Sequence, residues 1–235
     1  MHVGVLTTSW PSVARPWAGH FVRDLAVGLA AAGHSVTAVA PAWQSLGPLE
    51  RDPAISLRAV PLPLAPRDGL ARSWLASSAA AVGLARSTRE VRPDVWLCHW
   101  WPTALTVGRT GEVVAVLHGS DVDLIERAPG AVARWLGQRA HVVAVAPHLA
   151  RRYTARSGLA AEVIPLGAGR ADPAPSTRWP AIWRAADPAL PRVLTVAREA
   201  RGKGLDVARQ ASSLLEGDVA WAVLTLVCVL WPAAA

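Results

Sequence analysis

The segment His118-Gly119-Ser120-Asp121 follows an apolar, β-branched run, Val114-Ala115-Val116-Leu117, and precedes an acid-rich stretch that ends at Glu126. The pattern predicts a buried parallel strand that opens into a loop and then a helix N-terminus. Open α/β sheets bind their ligands at such strand ends. Ser120 or Asp121 is the expected N-cap, which would leave backbone N–H groups free to meet an anion. A second strand-like run, Asp94-Val95-Trp96-Leu97-Cys98-His99, also ends in histidine. Neighbouring parallel strands ending this way would bring His99 and His118 to one crevice. Two readings of His99 stay open: a ligand-facing group, or an ordinary hydrogen-bonded core histidine. With His20 and Cys98 the residue types for a metal site exist. Alternation, however, puts Cys98 and His99 on opposite faces. No paired-ligand spacing occurs either, so no metal is expected.

Gly19 and His20 open a predicted helix after a loop containing Ser9, Pro11, Ser12 and Pro16. A glycine there can approach a phosphate closely, and it can equally make a plain turn. No G-x-G-x-x-G follows the first strand and no G-x-x-x-x-G-K-[ST] occurs anywhere, so dinucleotide and P-loop readings lose their main support.

The elements that must position these residues read as alternating strands and helices. Residues 2–7 form a first strand and 20–32 a helix. Val22, Leu25, Ala26 and Leu29 make the helix's buried face, and Gly33 closes it. Residues 35–40 form a second strand, closed by Pro41, and 54–60 a third. A long helix over 67–92 packs on the sheet; its arginines are also compatible with weak contact to an anionic membrane surface. Strands follow at 94–99, 112–117, 141–146 and 161–165, with helices over 131–138 and 147–157. The Pro- and Gly-rich text of 169–191 reads as a linker. A strand from Arg192, a helix to about 215 and a final strand from Val219 begin a second domain. The expected architecture is therefore α/β. A Rossmann-like, doubly wound parallel sheet spans 1–168, and 192–235 carry the first β-α-β unit of a second domain.

Composition narrows the class. The chain has 235 residues, 52% hydrophobic and 17% charged, which excludes a mainly disordered protein. Its +7 charge is carried almost wholly by scattered arginines, with Lys203 the only lysine. No dense basic block exists, so no nucleic-acid partner is expected. Cys98 and Cys228 lie in apolar runs and read as small core residues, which suits a reducing, cytoplasmic setting. No signal peptide opens the chain. The apolar run 219–231 is too short to span a bilayer, since about 20 helical residues are needed.

These pieces in order resemble the GT-B glycosyltransferases, specifically the retaining glycosyltransferase family 4. Pro16-Trp17-Ala18-Gly19-His20-Phe21, with Gly33-His34-Ser35-Val36, looks like that family's opening loop and first helix. His118-Gly119-Ser120-Asp121 resembles its H-G-x-D segment and Val163-Ile164-Pro165 its V-I-P-N-G exit. Val196-Ala197-Arg198 with Lys203-Gly204 resembles the V-G-R…K-G start of its second domain. The resemblance implies a hexosyl transferase that moves a sugar from a nucleotide diphosphate sugar to a glycan, lipid or small-molecule acceptor, with no cofactor or metal. It implies that His118 contacts the transferred sugar near the reacting carbon. Gly19, His20, His99, Gly119 and Asp121 would bind substrate, and Arg198 and Lys203 would neutralise the donor diphosphate. Localisation at the cytoplasmic face of a membrane would fit the same resemblance.

Departures from the family pattern bear on activity. Ala197 stands where glycine is usual and Leu166 where asparagine is usual. The family's second domain runs much further and carries a pair of glutamates that grip the donor. Here the text turns instead into Leu224-Thr225-Leu226-Val227-Cys228-Val229-Leu230-Trp231. The expectation is a truncated copy that does not turn over a sugar nucleotide by itself. A rival from another class is a non-catalytic Rossmann-like module that binds an acceptor or a partner chain. An NAD(P)-dependent enzyme is disfavoured by the missing glycine fingerprint.

Overall fold

A computed structural model describes residues 1–62, 81–108, 111–167, 187–198, 203–215 and 217–226. The chain divides into two compact units, Met1–Gly169 and Arg170–Ala235. Most of the predicted linker, most of the predicted 67–92 helix and Cys228 lie outside the described residues.

Unit 1 is one parallel sheet. Its strands are β1 (His2–Leu6), β2 (Ser35–Trp43), β3 (Ser56–Leu62), β4 (Val95–His99), β5 (Glu112–Leu117), β6 (His141–Ala144) and β7 (Glu162–Val163). They stand in the order β3-β2-β1-β4-β5-β6-β7. The chain runs outward from β1 in one direction and from β4 in the other, so the topological switch point lies between them. The helices are α1 (His20–Ala31), α2 (residues 81–89), α3 (Ser120–Arg127), α4 (Gly130–Arg139) and α5 (Pro147–Ser157).

Strand alternation sorts side chains onto two faces. Val3, Val5, Val36 and Ala38 meet Val22 and Ala26 of α1 on one face. On the other, Trp96, Cys98, Ala115 and Leu117 meet Val122, Ile125, Leu136 and Tyr153 from α3, α4 and α5. Cys98 is buried and unpaired, on the face opposite the one where His99 meets α1. The capping of α1 follows expectation: Gly33 takes φ 88°, and the amides of Gly33 and His34 donate to the carbonyls of Ala30 and Leu29.

Three sequence expectations are corrected. β2 does not stop before Pro41; it continues to Trp43, and β3 likewise runs through Pro61. β1 pairs β2 only as far as Val39, so Pro41 faces a single neighbour and its missing N–H is not needed. Pro61 is tolerated because β3 is the edge strand. Of the four residues assigned to the buried face of α1, only Val22 and Ala26 are fully buried. Leu25 and Leu29 line a cavity instead.

Unit 2 holds two parallel strands, β8 (Arg192–Arg198) and β9 (Ala220–Leu226), joined by α6 (Leu205–Leu214). Its core among the described residues is thin. Leu205, Ala220 and Ala222 are buried, while Leu194, Val196, Val207 and Leu214 are exposed. The run that begins at Val219 is thus a strand where described. Among the described residues, no helix is long and apolar enough to cross a membrane.

Candidate active site at the strand ends

β4 and β5 are hydrogen-bonded neighbours, with His99 in register with Val116, so their C-terminal residues meet. The Nδ1 of His99 lies 2.9 Å from the Nε2 of His118. The rings are nearly parallel, 21° between planes and 5.1 Å between centroids. Phe21, at the start of α1, closes the group at 5.1 Å from His118 and 6.3 Å from His99. One nitrogen of the contact must donate and the other accept, so the two rings cannot both be fully protonated. Burial pushes the pKa of His99 down to about 3, with the charge of His118 adding to the effect. Burial also lowers the pKa of His118, against an opposing pull from the Asp121 carboxylate. The pair is neutral at neutral pH, which keeps an imidazole able to donate or accept at the crevice.

The backbone around the pair is tightly specified. Trp100 has φ 74°, the only non-glycine among the described residues with positive φ. A bulky residue held there is strained and turns the chain sharply after His99. Trp101 then donates its indole N–H to the carbonyl of Asp121 at 2.9 Å, tying the β4 exit to the β5 exit.

Asp121 is completely buried, and its carboxylate is spent on its own loop. The carboxylate accepts from the amides of His118 (2.9 and 3.1 Å), Gly119 (2.7 Å) and Val122 (3.0 Å). Gly119, not Ser120 or Asp121, is the N-cap of α3. The amides of His118, Gly119 and Val122 are thereby occupied by Asp121. The residue acts on His118 by positioning it.

Gly19 is buried at the N-cap of α1 with φ 69°. Its carbonyl accepts from Val22 at 2.9 Å and Arg23 at 3.2 Å. A Cβ there would lie 2.1 Å from the carbonyl oxygen of Ser9. The Gly19→Ala variant is therefore expected to lose about 2 kcal/mol of stability, combining left-handed strain with backbone displacement. Urea denaturation checks this, and a variant as stable as the parent would show that the loop yields freely. His20 is exposed, with its ring 6.4 Å from Phe21.

Beneath α1 lies a cavity of about 460 Å³, walled by Phe21, Leu25 and Leu29 of the helix and by Leu97, Val116 and Val143 of the sheet. His99 also lines it, and residues 164–167 close one side. The sequence reading missed Phe21, Trp101 and this cavity. Helical spacing marked Leu25 and Leu29 as apolar but could not say that both border open space.

In unit 2, Arg198 ends β8 and the exposed Lys203 precedes Gly204, the N-cap of α6. Among the described residues, no group of three or more His, Cys, Asp or Glu could hold a metal ion.

Solved structures share this fold. A sucrose-phosphate synthase from Thermosynechococcus elongatus is similar at 16% identity and TM-score 0.66, covering 96% of this chain and 62% of its own. The glycotransferase of kitacinnamycin is similar at 16% identity and TM-score 0.53, covering 100% of this chain and 67% of its own. WaaB, a lipopolysaccharide outer core galactosyltransferase, is similar at 10% identity and TM-score 0.51. This chain thus spans about two thirds of their length. A comparison with curated proteins found no match. The parallel sheet and its switch point define a Rossmann-like α/β protein with the fold of the GT-B neighbours. The profile of Glycosyltransferase Family 4 matches residues 18–168, and the chain belongs to that family.

Proposed function

We propose that the chemistry of this chain is transfer of a hexosyl group from a nucleotide diphosphate sugar to an acceptor alcohol, with His118 against the transferred sugar. The observation that carries this is the neutral His99–His118 pair, held at the strand ends inside the family-matched region. Departure of the nucleotide diphosphate builds negative charge, which fixed cations stabilise. Arg198 and Lys203 would supply that role, and the N-terminus of α6, whose cap Gly204 follows Lys203, adds its own partial positive charge. Gly19 brings backbone close to substrate, and Asp121 sets the orientation of His118.

Unit 2 supports little of this by itself, because one helix on two strands leaves few of its described apolar side chains fully buried. Turnover by the purified chain with UDP-, GDP- and dTDP-sugars is therefore expected to stay at background. Clear turnover would overturn that impairment. Replacing residues 192–235 with the second domain of another Family 4 enzyme is expected to give donor consumption. In that version His118→Ala lowers the rate by about 10²-fold. A version so replaced that ignores every donor would favour the second reading, a non-catalytic acceptor-binding module, for which the thin core of unit 2 speaks.

A further inference from the structure

We propose that Trp101 is a positioning residue for the histidine pair: its indole N–H holds the first turn of α3 and, through Asp121, sets the His118 imidazole against His99. The bearing of this clamp on sugar transfer rests on the reading above, whereas the clamp itself concerns only the geometry of the pair. Three observations carry the inference. The first is the path of the contact. Trp101 is buried, at 5% exposure, and its bond to the Asp121 carbonyl spans 20 residues of sequence. The carboxylate of the same Asp121 accepts from the amides of His118 and Gly119. A shift of the Asp121 backbone therefore moves the carboxylate that orients the His118 turn.

The second is that no other element grips this point. Among the described residues, the bond from Trp101 is the only hydrogen bond from another element to the backbone of residues 120–123. The remaining polar ties of α3 lie elsewhere. Arg152 of α5 holds the exposed carboxylates of Asp123 and Glu126, and Arg156 donates to the carbonyl of Ala128 at the far end. Val122 and Ile125 are buried in the core. Loss of the indole N–H therefore leaves α3 docked and frees its start.

The third is the turn that delivers the indole. β4 stays joined to β5 through the Trp100 amide, which donates to the Val116 carbonyl at 3.3 Å. Continued as a strand, the chain would put Trp101 on the His99 face, toward α1. The turn at Trp100, with φ 74°, carries it instead into the core shared with Val122 and Ile125. Glycine would adopt that φ without strain. A bulky residue persists there only where its surroundings over-determine it, and such residues cluster at functional sites. Here the hydroxyl and the amide of buried Thr103 both donate to the Trp100 carbonyl at 2.9 Å, and the Trp101 indole fixes the other side of the turn.

The test is imidazole nitrogen NMR with amide hydrogen exchange, on the full chain at neutral pH. In the parent, Nδ1 of His99 and Nε2 of His118 are one donor and one acceptor, so their nitrogen shifts are well separated. Trp101→Phe keeps an aromatic ring and loses the N–H. It should shrink that separation and speed exchange of the Val122 amide about fivefold or more. Leu136→Val, a core change on α4, should lower the thermal midpoint and leave both imidazole shifts in place. Unchanged imidazole shifts in Trp101→Phe, or the same change in Leu136→Val, overturns the proposal. Should Trp101→Phe not fold, exchange in the parent decides. One shared opening event gives the Trp101 indole N–H and the Val122 amide protection within about threefold of each other, and an indole at least about tenfold less protected overturns the clamp. No sugar enters this experiment, so its failure leaves the transferase reading standing, and background turnover leaves the clamp standing.

Discussion

Between about pH 6.5 and pH 3 the protein is expected to lose up to about 1.4 kcal/mol of stability for each unit of acidification through His99 alone. Folding holds the pKa of this ring at about 3, below its ordinary value of 6.5, chiefly by burial. In that window the unfolded chain carries a protonated His99 and the folded chain a neutral one. The unfolded state therefore binds the extra proton, and stability rises with pH and is lost as pH falls. His118, also lowered by burial, adds to the loss with the same sign. The Glu126 carboxyl is held low by its hydrogen bond to Arg152 and acts the same way only below about pH 4.5. Urea midpoints at pH 7, 5.5 and 4.5 isolate the histidines. His99→Gln should flatten the dependence by nearly one proton. A parent whose stability is level between pH 6.5 and 4.5 would refute the buried neutral pair.

Asp121→Ala is expected to lower stability by about 3 kcal/mol or more, because it strips three amides near the His118 turn of a charged acceptor at once. Asp121→Asn should cost less, about 1–2 kcal/mol. Its carbonyl can keep the Oδ1 bonds, but its NH₂ then faces the His118 amide now 3.1 Å from Oδ2. Both variants should move the His118 imidazole signals in NMR while leaving α5 unperturbed. An alanine variant within about 0.5 kcal/mol of the parent would mean that the loop finds other acceptors, as an ordinary surface substitution would.

Much of this was legible in the residues. Continuous apolar runs ending in His99 and His118 placed the site at strand ends, and Gly33 marked a helix stop. Pro41 and Pro61 misled, since whether a strand can hold a proline depends on which side of it is paired. That is a property of strand order, which local pattern does not encode. Ser120 and Asp121 misled as caps for a related reason. Both are good cap types, but the turn at Gly119 sends the Asp121 carboxylate back to the amides of His118 and Gly119.

By itself the sequence determined the α/β class, the two-unit organisation, the family resemblance and His118 as the residue to watch. The class and the two units follow from composition, apolar patterning and local spacing, which act over a few residues; the resemblance, and the role it implies for His118, rest on short motifs in a fixed order. Only the tertiary structure decided that His99 bonds His118 and is held neutral, that Asp121 supports the loop, and that α1 leaves an open pocket against the sheet. Each of these depends on distances between segments remote in the chain and on exclusion of water, and neither is fixed until the sheet is assembled.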